Sequence, residues 1–386
     1  MKKQLKSQMP RLPAVILCLA CFCLGAPLAS TAKPQAAAKE MLIGAKIYEY
    51  KQDFADLFAA WQRLGVNTAF VSIELASNRA FMELAQKRNM AVFIILPVFY
   101  NPEALAKDPG LFAVTGHGQP AKADWVEFVC PRRPEYRRQR LEYVRRLIRE
   151  CRPDGISIDF IRYFAFWEMV YPEAKLDPLQ NTCFCPYCLQ AFQRECKLNI
   201  PARLLQTRAK AEWILKNHLP AWAKWKREAI TAMVRDIAAA ARQEKPGIKL
   251  NVHLVPWRKS DFGGAMSSVV SQDIAAIGPL VDYLSPMCYA HMVKQTPDWI
   301  RSVVRDVRSR AANPVIPSIQ VKEDYIKEVL TPGQFSDYLK AALAPPSQGV
   351  VFWSWETLAA DEAKIKIARS LLAGRGSSQE PVMGKK

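Results

Sequence analysis

Asp154-Gly155-Ile156-Ser157-Ile158-Asp159-Phe160-Ile161-Arg162-Tyr163 reads as a turn running into a short β-strand that ends in charge. The run 155–161 is mostly apolar, as in a strand covered on both faces. Asp159 breaks that pattern near the strand's end, where an unpaired carboxylate is costly. The reading expects Arg162 to organise the loop and to hold Asp159 anionic.

The same pattern repeats outward from this stretch. From Met41 onward, β-rich runs at 42–48, 68–73, 91–98, 155–161, 249–255, 283–288, 315–321 and 349–353 alternate with helical runs. Amphipathic helices are expected at 53–64, 78–88, 273–281, 299–312 and 361–372. Thr296-Pro297-Asp298 and Thr331-Pro332 are helix openings. Eight βα units in succession predict a closed (β/α)8 TIM barrel. An open doubly wound sheet would place a glycine-rich phosphate turn after its first strand, whereas here that strand runs into Tyr48-Glu49-Tyr50-Lys51. The largest insertion follows the fourth strand. It carries a cysteine cluster and helical segments over about 201–244, divided or kinked at Pro220.

The ends of the chain read differently from its middle. Lys2, Lys3, Lys6 and Arg11 precede an apolar run to about Leu28, and Ser30-Thr31-Ala32 offers small residues for cleavage. Residues 1–32 are therefore expected to be a signal peptide, 33–40 a linker, 41–373 the barrel, and 374–386 a disordered polar tail. The protein is expected to be exported, periplasmic or extracellular, with no stable membrane insertion after cleavage; lipoprotein anchoring at Cys21 or Cys23 is the less favoured reading. The formal charge is +18, of which four positive charges belong to the leader. Nine arginines fall in 132–152. They read either as a solvated helix face, with Leu141, Val144, Leu147 and Ile148 as its apolar stripe, or as a patch for a polyanion such as an anionic polysaccharide. Export argues against nucleic acid as a partner.

In a barrel of this kind, ligand-facing groups come from the C-terminal strand ends and the loops beyond them. That rule selects Tyr48, Glu74, Asp159, Arg162, Tyr163, His253, Trp257, Tyr289, His291, Gln320, Glu323, Trp353, Trp355 and Glu356. Aromatic rings offer flat faces to sugars, while carboxylates, Gln, Arg and His bind hydroxyls. Scattered histidines argue against a zinc triad, and no lysine at a strand end reads as a clear Schiff-base former. No organic cofactor is suggested. Glycosidic cleavage needs one carboxylic acid to protonate the leaving oxygen and a second carboxylate to attack or to activate water. Asp159 is expected to be the second of these. Glu356, after two tryptophans, is the expected acid, with Glu323 as its rival.

The fourth-strand stretch resembles the Asp-Gly-x-x-x-Asp-Tyr-Ile-Arg-Phe/Tyr strand of bacterial glycoside-hydrolase-like TIM barrels. Cys183-Phe184-Cys185-Pro186-Tyr187-Cys188 resembles the Cys-x-x-Cys insertion of the same family. Ser285-Pro286-Met287-Cys288-Tyr289, Pro317-Ser318-Ile319-Gln320 and Gly349-Val350-Val351-Phe352-Trp353-Ser354-Trp355 are similar to its later strands. The resemblance implies a barrel that handles carbohydrate. A more distant likeness to chitinase-type barrels fails at the catalytic acid, which would fall on Ile161. The expected function is glycoside hydrolysis of a poly- or oligosaccharide; the alternative is a non-catalytic carbohydrate-binding barrel of the cell envelope.

The cysteines admit three readings. Seven of the ten lie beyond the leader, an odd number. Disulfides stapling an exposed loop are expected first. A structural zinc on Cys183, Cys185, Cys188 and Cys196 is the second reading. Redox catalysis at Cys185-Pro186-Tyr187-Cys188 is the third, and it would need a thioredoxin-like domain.

Overall fold

The computed structural model describes residues 41–373. The expected leader, linker and tail fall outside the described residues. Eight parallel strands form one sheet: β1 (Leu42–Ile47), β2 (Thr68–Val71), β3 (Ala91–Pro97), β4 (Gly155–Asp159), β5 (Lys249–Leu254), β6 (Tyr283–Pro286), β7 (Ser318–Gln320) and β8 (Gly349–Trp353). Their spatial order is β6-β5-β4-β3-β2-β1-β8-β7. Parallel bridges Leu284–Val315 and Met287–Ser318 join the two ends, and Ile316 N donates to Leu284 O at 2.9 Å. The sheet is thus closed, and the chain is a (β/α)8 barrel.

Several strands are shorter than their apolar runs, each for a local reason. β4 stops at Asp159 because Phe160 turns to a φ of 48°, a left-handed value that a bulky residue rarely adopts. β2 stops at Val71 because Ser72 caps a helical turn at Ile73–Ala76, its Oγ accepting from Leu75 N at 3.3 Å. β7 is cut to three residues because Pro317 has no N–H to give the ladder.

Around the barrel lie α1 (Phe54–Leu64), α2 (Arg79–Lys87), α3 (Pro134–Cys151), α4 (Pro186–Cys196), α5 (Thr207–Asn217), α6 (Leu219–Glu244), α7 (Pro297–Arg310), α8 (Pro332–Ala342) and α9 (Glu362–Leu372). The insertion after β4 supplies α4 and α5, and Pro220 divides α5 from α6 in the first turn of the latter. The helix expected at 273–281 is instead a short α-turn (Ile274–Ile277) followed by a 3-10 turn (Gly278–Leu280). Among the described residues no helix is long and apolar enough to cross a membrane.

The arginine-rich stretch is α3 with its flanks, packed on α6. Arg137 pairs with Asp236 at 3.0 Å and Arg149 with Glu244 at 2.9 Å, both across to α6. Arg132 pairs with Glu195 of α4, and Arg138 with Glu135 at 3.3 Å.

Two apolar regions hold the barrel. The large one fills the space between strands and helices. A small one, made of Phe70, Phe93, Ile95, Ile316 and Val351, plugs the barrel's interior. Gly155 faces that plug: a Cβ there would lie 2.3 Å from the Phe93 ring. Its side-chain-free position sets the inward face of β4, so Ser157 and Asp159 point inward while Ile156 and Ile158 point to the helices.

Candidate active site

The inward residues near the C-terminal strand ends, with the loops after β3, β4 and β7, enclose a cavity of about 530 Å³. Beneath it, inside the barrel, lies a polar and fully buried layer. Ser157 Oγ lies 2.8 Å from His253 Nε2 and accepts from Asn251 Nδ2 at 2.9 Å. Burial, helped by the charge of Lys46, pushes His253 down to about 3, so this imidazole is neutral at ordinary pH.

One layer higher stand Lys46 and Asp159. Lys46 is 1% exposed, and its Nζ donates to Tyr289 Oη at 3.2 Å. Burial pushes its ammonium down to about 8, against the opposing pull of Asp159. Asp159 keeps only 8% of its surface open, and its Oδ1 accepts from Phe160 N at 2.7 Å. The left-handed turn at Phe160 therefore holds both the carboxylate and the aromatic wall beside it. Strain of this kind tends to gather at functional sites.

The loop after β4 brings a second carboxylate. Phe164-Ala165-Phe166 leads into a 3-10 turn, Trp167–Met169, that seats Glu168 in the cavity at 8% exposure. Burial pushes its carboxyl up to about 7; Arg162 pulls the other way, while Asp159 and Asp324 push it further up. Its Oε2 is buried without a hydrogen-bond partner. Arg162, 2% exposed, does not pair directly with Asp159 as expected. It donates to Ala165 O at 2.7 Å and Tyr163 O at 3.4 Å, and its guanidinium lies 4.8 Å from the Phe128 ring. Glu168 is the carboxylate that acts on it most strongly, with Asp159 second.

Aromatic rings form two walls. On one, Tyr289 stacks on Trp353 with centroids 4.3 Å apart and rings 21° from parallel, and Trp167 lies 5.8 Å from Tyr289. On the other, Tyr100 stacks on Phe160 at 4.9 Å and Trp125 meets Tyr100 edge-on at 5.4 Å. Trp125 Nε1 donates to Tyr325 Oη, tying the loop after β3 to the loop after β7.

Of the residues selected from sequence, Tyr48, Asp159, Arg162, Tyr289 and Trp353 line this cavity. The others do not, and the reasons are physical. Glu356 opens the turn Trp355–Ala359, where its Oε1 accepts from Tyr48 N at 2.7 Å and Glu49 N at 3.3 Å. It bridges the ends of β1 and β8 and faces a separate groove. Trp355 packs edge-on against Trp61 at 5.9 Å and borders the same groove. Glu323 closes its own loop by accepting from Leu330 N at 3.3 Å. Gln320 spends its amide on Met292 N and Lys322 O, both at 2.8 Å. Glu74 is exposed on the turn after β2. Tyr163 is fully buried beneath Lys226, whose Nζ lies 4.7 Å from the ring. His253 belongs to the buried layer beneath the cavity, and His291 is buried near Glu323. Trp257 borders a smaller cavity of about 120 Å³.

Sequence reasoning missed Lys46, Glu168, Trp167, Trp125 and Tyr325, while Tyr100, at the end of the third strand, does line the cavity. Two of these carried a signal. Lys46 is a charge inside an apolar strand, a stronger flag than a strand-end position. Glu168 follows a run of aromatics, the setting that raises a carboxyl.

The cysteines also assemble differently. Cys130 joins Cys183, Cys185 and Cys188, with all four Sγ atoms within 4.8 Å of one another. Cys196 is excluded because it lies eight residues further along α4, about 12 Å at 1.5 Å per residue. Among the described residues no disulfide joins any of the seven cysteines.

A wider depression of about 800 Å³ lies at the opposite, N-terminal side of β3 and β4, where Asp154 accepts from Val92 N at 3.0 Å and pairs with Lys245 at 3.6 Å. It gathers no comparable set of carboxylates and rings.

No protein-family model and no curated protein matches this chain. Solved structures do. The glycoside hydrolase domain of PgaB (BpsB) from Bordetella bronchiseptica matches with a TM-score of 0.63 at 13% identity, over 88% of this chain and 99% of that one. The likeness is one of fold. A β-galactosidase from Marinomonas ef1 matches at 0.62 and 11% identity, over 86% of this chain and 59% of its own. The α-L-fucosidase isoenzyme 2 of Paenibacillus thiaminolyticus matches at 0.57 and 12%, over 87% and 50%. The chain therefore has the TIM barrel seen in glycoside hydrolases of solved structure.

Proposed function

We propose that this protein is an exported glycoside hydrolase acting on a poly- or oligosaccharide, with Glu168 as proton donor and Asp159 as base or nucleophile. One observation carries the reading: a carboxyl raised to about 7 sits beside a second carboxylate in an aromatic-walled cavity at the barrel's C-terminal end. Glu168 protonates the glycosidic oxygen as the bond to the anomeric carbon breaks. The Asp159 carboxylate then attacks that carbon, or takes a proton from the water that does. Lys46 places positive charge beside Asp159 and hydrogen-bonds Tyr289. Sugar rings stack on the open faces of Trp353 or Trp125. The solved structures of similar fold, a glycoside hydrolase domain, a β-galactosidase and a fucosidase, support this class of chemistry without indicating a sugar.

The test is cleavage of a glycan panel by the unmutated chain and by Asp159→Asn and Glu168→Gln. Each variant is expected to lose about 10²–10⁴-fold in turnover while folding as before. Equal cleavage by either variant removes that residue from the chemistry. Glycan binding by the unmutated chain with no cleavage of any panel member would assign the non-catalytic carbohydrate-binding alternative.

A further inference from the structure

We propose that Cys130, Cys183, Cys185 and Cys188 hold one zinc ion, which ties together the two loops that wall the cavity. The four side chains are buried at 0–1% exposure, and their sulfurs converge on one point rather than dividing into two pairs. Zn–S bonds of about 2.3 Å in a tetrahedron set S···S edges of roughly 3.8 Å. Cys130 Sγ lies 3.3 Å from Cys188 Sγ and 3.8 Å from Cys185 Sγ. A small contraction or expansion of the cluster seats the ion.

The surroundings suit thiolates as well. Val114 N donates to Cys183 Sγ at 3.3 Å, and Cys188 N donates to Cys185 Sγ at 3.5 Å. Such bonds orient and stabilise metal-bound sulfur. Cys185 caps α4, so two ligands sit at the positive end of that helix. Zinc binding would release the four thiol protons to solvent and leave the centre with a net charge of 2−. Lys226, fully buried on α6, faces the cluster: burial pushes its ammonium down, and negative charge on Cys183 and Cys188 pulls it back up.

The ligands come from two places in the chain. Cys130 follows Phe128 at the end of the loop after β3, and the other three lie in the insertion after β4, Cys188 in the first turn of α4. Phe128 packs on Phe160 at 5.9 Å and Phe164 at 5.7 Å, and beneath Arg162. An ion at the cysteines thus fixes the aromatic wall next to Asp159 without touching it. This role is independent of whether the cavity cleaves glycans.

The full chain, purified without chelator, is expected to carry one zinc per molecule by elemental analysis and native mass spectrometry. Cys130→Ser and Cys185→Ser should each reduce that to near zero, while Cys196→Ser and Cys288→Ser keep it. Metal analysis of the unmutated chain decides the matter where a serine variant fails to fold. Three results overturn the proposal: a metal-free chain whose intact mass shows the thiols lost to disulfides, a metal-free chain whose four thiols all alkylate once it is unfolded, or iron in place of zinc. Full zinc content in a folded Cys185→Ser chain overturns the ligand set.

Discussion

Glu168 is held where its proton is both available and worth giving. Burial lifts its carboxyl to about 7, so cleavage is expected to fall as pH rises through about 7 and the donor ionises. Asp324 contributes to that lift through its charge. Asp324→Asn should therefore shift the alkaline limb of the kcat/KM profile to lower pH, and a limb that stays in place would speak against Glu168 as the acid. Glu356 provides the contrast. Its carboxylate oxygen accepts two backbone N–H groups that close β1 against β8, and an amide oxygen can do the same. Glu356→Gln is expected to retain turnover. Glu356→Ala, handing the exposed Tyr48 and Glu49 N–H groups to water, should cost about 0.5–1.5 kcal/mol in denaturant unfolding. Loss of turnover in a fully folded Glu356→Gln chain would return that residue to the chemistry.

At the scale of the element, the strands were legible and the loops were not. Alternation along β1 and β4 already places Lys46 with Tyr48, and Ser157 with Asp159, on one face, because side chains reverse at every residue. Glu168, Trp125 and Tyr325 reach the cavity from loops, where long-range packing rather than local periodicity sets direction. Strand-end position alone overcounted for the same reason: Trp355 and Glu356 lie beyond β8, where the chain has turned into a helix and carries them behind the wall. Cys130 joined the cluster from 53 residues before Cys183, a partnership that motif spacing cannot express. Glycines at strand starts give a direct test of the strand register. A Cβ at Gly349 would lie 2.2 Å from Leu42 O, a backbone atom, whereas at Gly155 it meets the ring of Phe93. Both alanine variants should destabilise by about 1–3 kcal/mol, with Gly349→Ala the worse because backbone cannot rotate aside. The reverse order in urea unfolding would mean the β1–β8 register is wrong.

For the whole molecule, the cavity's charges lower stability in the pH range where they would act. Glu168 rises from 4.5 to about 7 on folding, so its favourable contribution is full below pH 4.5 and is lost as pH climbs through about 7. Lys46 falls from 10.5 to about 8, so its penalty is full below pH 8 and is relieved as pH rises toward 10.5. The two effects together put the least favourable point between 7 and 8. Glu168→Gln is expected to stabilise the fold at pH 8, on the order of 2–3 kcal/mol, and to do little at pH 4.5. A gain of equal size at both values would show that ionisation is not the cause. The closure of eight strands was evident from eight repeated βα runs, while this cost was not, since it arises only when those strands bring Lys46, Asp159 and Glu168 into one dry space. The stacked Trp353 and Tyr289, together with Trp125 at 46% exposure on the facing wall, have an optical consequence. An indole that loses water to a sugar ring emits at shorter wavelength, so ligand arrival should register in the protein's own fluorescence, with no label and before any bond is cut.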